Sequence, residues 1–231
     1  MLLIRKISVI VVLMLVVGCQ TTTNFEKPEK EKLMAAAKVN VQLGMAYLER
    51  KDIQRARQKL ILALDQAPNL PEAWYAMGYF LEMMDEGPAA NRYYQKSLAL
   101  GPHRGDVLNN YGTYVCRLGR YQEAIPYFMK AIADKTYLDP SSAYENAALC
   151  AMKIPALSQA ENYFQHALAE NPNRYSALLG LGEVYFMQKK YAFAHEKLQE
   201  FLDVSTPTVQ SFLLEKRLDQ LSPSVGKHDA S

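Results

Sequence analysis

This sequence is short of the groups that chemistry needs. Its 231 residues include only four histidines and three cysteines. It has no glycine-rich phosphate loop, no Gly-x-Ser-x-Gly elbow and no His-Glu-x-x-His pair of zinc ligands. His103, His166, His195 and His228 are scattered, and His195-Glu196 has no second histidine behind it. Each reads as a surface or capping side chain, so neither an enzyme, nor a metal or cofactor, nor a small-molecule substrate is expected. A surplus of one charge is missing too. The formal charge of +2 comes from Arg5 and Lys6, and beyond residue 18 the 24 basic residues face 24 acidic ones. That balance argues against a nucleic-acid binder, which carries a basic excess on one face. Also lacking is an apolar run of the ~20 residues that a membrane-spanning helix requires. The stretch Ile7 to Val17 has only eleven residues.

What the chain has at its start is an export signal. Arg5 and Lys6 form a positive n-region, Ile7 to Val17 an apolar h-region, and Gly18 the small residue before a cleavage point. Leu15-Val16-Val17-Gly18-Cys19 resembles the lipobox of bacterial lipoproteins. That resemblance implies removal of residues 1–18, diacylglycerol on the Cys19 sulfur and acylation of the new N-terminus; two or three acyl chains hold firmly where one does not. Gln20 stands where lipoproteins retained in the inner membrane carry Asp, which implies the outer membrane with the body in the periplasm. Residues 19–32 are polar without apolar periodicity and read as a lipidated, flexible tether.

A ladder of alanines organises the rest. Ala56, Ala90, Ala124, Ala160 and Ala194 follow one another at 34, 34, 36 and 34 residues, and twelve places before each stands Gly44, Gly78, Gly112, Ala148 or Gly182. A 34-residue period is the signature of the tetratricopeptide repeat, a helix–turn–helix unit that stacks into a solenoid. The predicted fold is all-α: a tetratricopeptide-repeat superhelix (α-solenoid) of about five to six repeats over 33–208, with units at 37–70, 71–104, 105–138, 141–174 and 175–208. Asp139 and Pro140 form a two-residue insertion. The small residues mark where two helices cross closely, and Tyr47, Leu60, Trp74, Tyr94, Tyr111, Phe128, Tyr144, Phe164, Leu181 and Tyr185 fill the holes between them. Pro126 falls inside a helix and costs a hydrogen bond. Residues 209–221 form a capping helix whose apolar positions are Phe212, Leu213, Leu214, Leu218 and Leu221, and 222–231 read as a disordered tail.

Cys116 and Cys150 sit near the ends of the first helices of consecutive units. Neighbouring helix axes lie ~8–10 Å apart, close enough for a disulfide, and an exported chain meets oxidising conditions. A bridge is the expectation; two buried free thiols are the other reading.

The run Asn109-Asn110-Tyr111-Gly112-Thr113-Tyr114-Val115-Cys116-Arg117-Leu118-Gly119-Arg120-Tyr121, with Tyr144-Glu145-Asn146-Ala147-Ala148-Leu149-Cys150, goes beyond the generic repeat. It resembles the third and fourth repeats of the PilF/PilW family of type IV pilus biogenesis and stability lipoproteins, which usually carry Gly where Ala148 stands. The resemblance implies a pilotin that binds the secretin and promotes its outer-membrane localisation and multimerisation. Relatives that stabilise the assembled pilus, and scaffolds for outer-membrane protein insertion or cell-wall hydrolases, are the alternatives. In such repeats positions two, five, nine and twelve of each first helix line a groove. Here these are Glu72, Tyr75, Tyr79 and Glu82, then Asp106, Asn109, Thr113 and Cys116, then Ser142, Glu145, Leu149 and Met152. Tyr75, Tyr79, Glu82, Asn109, Thr113, Glu145 and Leu149 are the expected partner contacts, suited to an extended or helical peptide. Half of these could equally be ordinary solvated helix residues.

Overall fold

The computed structural model describes residues 26–221. The expected signal segment, Cys19 and the tail 222–231 lie outside the described residues. Among the described residues there are eleven helices and no strand: α1 (Glu26–Glu49), α2 (Ile53–Gln66), α3 (Pro71–Met83), α4 (Gly87–Leu100), α5 (Gly105–Arg117), α6 (Tyr121–Ala133), α7 (Pro140–Ala151), α8 (Leu157–Glu170), α9 (Tyr175–Met187), α10 (Tyr191–Val204) and α11 (Val209–Leu221). They alternate as first and second helices of repeats, an all-α tetratricopeptide-repeat solenoid fold. The chain divides into two compact units, residues 1–90 and 91–231, with the division falling inside α4.

In the first unit Ala37, Ala63, Ala67, Leu70 and Ala73 form one core cluster, with Met34, Val41 and Leu64 packed on it. Gly44 shows why that position must be small: a β-carbon there would lie 2.7 Å from the Leu60 side chain. The Trp74 indole donates to the Pro68 carbonyl at 2.7 Å, tying α3 to the turn before it. One expectation fails here. The tether does not reach residue 32, because α1 begins at Glu26. Glu29, Lys30, Glu31 and Lys32 have no apolar stripe and are exposed, yet they are good helix formers and extend the helix that packs from Met34 onward.

In the second unit the largest cluster gathers Ala148, Ala160, Phe164, Leu181, Val184, Leu198, Phe201, Leu214 and Leu218 from α7 to α11. A smaller one joins Leu108, Ala131 and Ala143. The ladder alanines are all fully buried. Of the expected hole-fillers, Leu60, Tyr94, Phe128 and Phe164 are buried completely or nearly so, while Tyr47, Trp74 and Tyr144 are half-buried. At Gly112 a β-carbon would meet the Phe128 ring at 2.9 Å, whereas Ala148 fits its methyl into the main cluster.

Turns from first to second helix use one left-handed residue: Lys51 (φ 59°), Asp85 (φ 61°), Gly119 (φ 78°) and Lys189 (φ 63°). Each lets the next amide reach back over the helix end, as Asp52 N to Tyr47 O at 2.9 Å and Lys190 N to Tyr185 O at 2.8 Å, satisfying carbonyls the helix leaves open. The fourth repeat differs. α7 stops at Ala151, and residues 152–156 turn with Pro155 and no left-handed residue. Pro126 sits in α6 without breaking it. Both Pro126 and Gln122, whose carbonyl loses its partner, are exposed, so water can take the place of the missing amide.

The capping helix buries only part of its expected apolar set. Ser211, Leu214 and Leu218 face the core, but Phe212, Leu213 and Leu221 are exposed. A period of 3.6 residues places 211, 214 and 218 on one side, and 212 and 213 fall largely on the other.

Candidate partner-binding surface

The expected contact residues separate once their neighbours are seen. Tyr75, Tyr79 and Glu82 are half-buried along one side of α3 in the first unit. Asn109, Thr113, Glu145 and Leu149 belong to α5 and α7 in the second unit.

Asn109 is buried, and its amide oxygen accepts from Asn146 Nδ2 at 3.0 Å. Its backbone carbonyl accepts from Thr113 Oγ1 at 2.9 Å. It therefore ties α5 to α7. Glu145 is engaged as well. Arg174, ahead of α9, donates to Glu145 at 3.1 Å and to Asp139 at 2.5 Å. Burial works against the Arg174 charge, but the two carboxylates outweigh it and raise its pKa. Asp139 also accepts from Ser142 N at 3.1 Å as the N-cap of α7. The two-residue insertion thus brings in the cap of α7 and an anchor for Arg174.

What stays open is mostly apolar. Leu149 is 46% exposed, and Thr113 is half-buried beside it in the position rule. Cys116 on α5 and Cys150 on α7 bring their sulfurs together with Cα atoms 5.9 Å apart, within the ~4.4–6.8 Å that a bridge spans. Extending the same positions to the fifth repeat and α11 adds residues the sequence reading did not carry forward. Glu183 accepts from Arg217 Nη2, and the Arg217 guanidinium lies 4.5 Å over the Phe186 ring. Glu183, Leu213, Lys216 and Arg217 line a cleft there with Gln210 and Gln220. The signal was present, since 183 and 217 each lie 34 residues beyond the last.

Among the described residues no group of three His, Cys, Asp or Glu side chains could hold a metal ion. No helix described is long and apolar enough to cross a membrane. Leu149 is exposed here, and Met152 and Phe186 are half-buried.

Residues 85–152 and 157–206, just over half of the sequence, match the family described as "Tetratricopeptide repeat". The chain belongs to the tetratricopeptide-repeat family. Within it, the chain is homologous to the type IV pilus assembly protein PilF of Pseudomonas aeruginosa, 29% identical over 202 residues that span 87% of this chain and 80% of that protein. The solved structure of P. aeruginosa PilF superposes with a TM-score of 0.70 at 28% identity, covering 82% of this chain and 86% of that one. The crystal structure of PilW, described as a widely conserved type IV pilus biogenesis factor, gives a TM-score of 0.72 at 26% identity over 80% and 84% of the two chains. The tetratricopeptide-repeat array is thus shared with PilF and PilW along most of its length.

Proposed function

We propose that this chain is a type IV pilus biogenesis lipoprotein that acts as a pilotin: it binds the secretin and promotes its outer-membrane localisation and multimerisation. The observation that carries the reading is the similarity to PilF along nearly nine-tenths of the sequence. The lipobox-like run ending at Cys19 supports it, with the lipid as address and the repeats as grip. Leu149, Thr113, Met152 and Phe186 supply a soft apolar strip on which a peptide of the secretin docks. Tyr75, Tyr79 and Glu82 offer a second set of contacts in the first unit. Asn109 and Glu145 act from behind, holding α5, α7 and the segment before α9 in register. A Cys116–Cys150 bridge, formed after export, pins the two helices that frame the strip.

The test is genetic and biochemical. In a deletion strain the secretin accumulates as monomer, and multimers return with the wild-type gene. Leu149→Asp, folded by circular dichroism, fails to restore them or to co-purify the secretin from detergent-solubilised envelope. Cys19→Ser leaves a folded protein that is mislocalised. Normal secretin multimers in the outer membrane of the deletion strain would refute the pilotin role.

A further inference from the structure

α11 begins 34 residues after α9 and has the same length, so it stands where the first helix of a sixth repeat would stand. Its fourth and fifth residues are Phe212 and Leu213. Their counterparts in the fifth repeat, Leu178 and Leu179, are each 8% exposed, whereas Phe212 is 61% and Leu213 50% exposed. The other fourth-position residues, Asn40, Trp74, Leu108 and Tyr144, are buried or half-buried. An uncovered Val209 begins the same face. The covered side of α11, through Leu214 and Leu218, is already spent on the fifth repeat. In every complete repeat a second helix follows after a short turn. The residues after α11, Ser222 to Ser231, include Pro223 and Gly226 and a single large apolar residue, Val225, and do not carry the stripe of such a helix.

The eighth position says what would fit. It is Gly or Ala in all five repeats, where the second helix approaches closely, and in α11 it is Lys216, exposed at the rim of the α9–α11 cleft. A lysine there keeps an all-apolar helix away and favours one with a carboxylate at its centre. Arg217 beside it is already paired with Glu183, so Lys216 is the cation that this face offers. We propose that α11 is the first half of a sixth repeat, completed in trans by an amphipathic helix of a partner protein that carries an apolar stripe with an acidic residue opposite Lys216. This goes beyond the pilotin reading and stands whether or not the secretin supplies the helix.

The test uses the full chain and a synthetic probe, the α10 segment Tyr191–Val204, acetylated and amidated, together with its Ala194→Glu form. A 14-residue peptide is mostly unfolded alone, so fluorescence anisotropy reports binding and circular dichroism reports helix gained. The Ala194→Glu peptide binds saturably, and Phe212→Ser/Leu213→Ser weakens it at least about tenfold. Both side chains are exposed, and an unchanged Tm shows that the fold is kept. Against wild type the Ala194→Glu peptide binds about two- to fivefold tighter than the parent peptide, and with Lys216→Ala the order reverses. No saturable binding, binding insensitive to Phe212 and Leu213, or an order indifferent to Lys216 would each overturn the proposal. So would a chain that is dimeric alone and made monomeric by the double substitution, since the face would then belong to a second copy.

Discussion

Breaking the proposed cross-link between Cys116 and Cys150 has a calculable cost. The two cysteines lie 34 residues apart, and closing a loop of that length removes about 3–4 kcal/mol of unfolded-chain entropy at 25 °C. The second unit is described over residues 91–221. At ~2.1 cal/mol/K of unfolding entropy per residue, a loss of this size lowers its Tm by roughly 12 °C if it melts as one body. Repeat arrays do not always melt so, because each unit rests mainly on its neighbours. If only the third and fourth repeats uncouple, the same free energy falls on about half the residues and the local drop is roughly twice as large. The assay is differential scanning calorimetry of the oxidised protein, the reduced protein and Cys116→Ala/Cys150→Ala, with hydrogen exchange to locate the loss. Reduced and double-variant proteins melt together, well below the oxidised one, and amides of α5 to α8 exchange first. Alkylation before reduction that labels both cysteines refutes the bridge. A Tm unmoved by reduction, with both thiols then alkylated, refutes the entropy argument instead.

Three further outcomes follow from named positions. Lys51→Gly relieves a left-handed lysine in an exposed turn and raises stability by about 0.5–1 kcal/mol, read from urea midpoints; a loss would mean that the lysine side chain makes up for its backbone. Pro126→Ala restores the amide that Gln122 lacks and stabilises α6 by about 1–2 kcal/mol, the interior-proline penalty less the entropy that proline removes from the unfolded chain. Tyr137 packs against Gly105, and burial, with Asp139 nearby, pushes its phenol up to about 12. The folded state therefore holds a proton that the unfolded state releases near 10. Its contribution is complete below pH 10 and lost as the pH rises towards 12, and Tyr137→Phe flattens that decline in an alkaline denaturation series.

The helices were readable because their signals are local and repeated. Alanine and glycine recur where side chains must be absent, and each complete repeat confirms the others. Turns were half readable. Gly119 announces a left-handed residue, but Lys51 and Lys189 do so only through the shape of the turn that flanking helices impose. The start of α1 was hidden because Glu29 to Lys32 follow intrinsic helix preference and bury nothing. Phe212 and Leu213 misled because a count of apolar residues does not say which side of α11 has a neighbour. At the candidate site, position rules reached the exposed Leu149 and the half-buried Thr113. They could not tell that Asn109 would meet Asn146, or that Glu145 would meet Arg174, since those pairs join residues 37 and 29 positions apart.

An array of near-identical units faces an error that an irregular core does not: a repeat can settle beside the wrong neighbour at little cost in apolar contact. The amide pair of Asn109 and Asn146 makes that error expensive. Neither Thr113-type hydroxyls nor the alanine ladder distinguishes one junction from another, but a buried asparagine left facing alanine or leucine forfeits a hydrogen bond worth about 1–3 kcal/mol once water is excluded. No other first helix has an asparagine at the fifth place, and none but α7 has one at the sixth to receive it apart from α5 itself. The pair acts as a serial number, letting the third repeat accept only the fourth during folding.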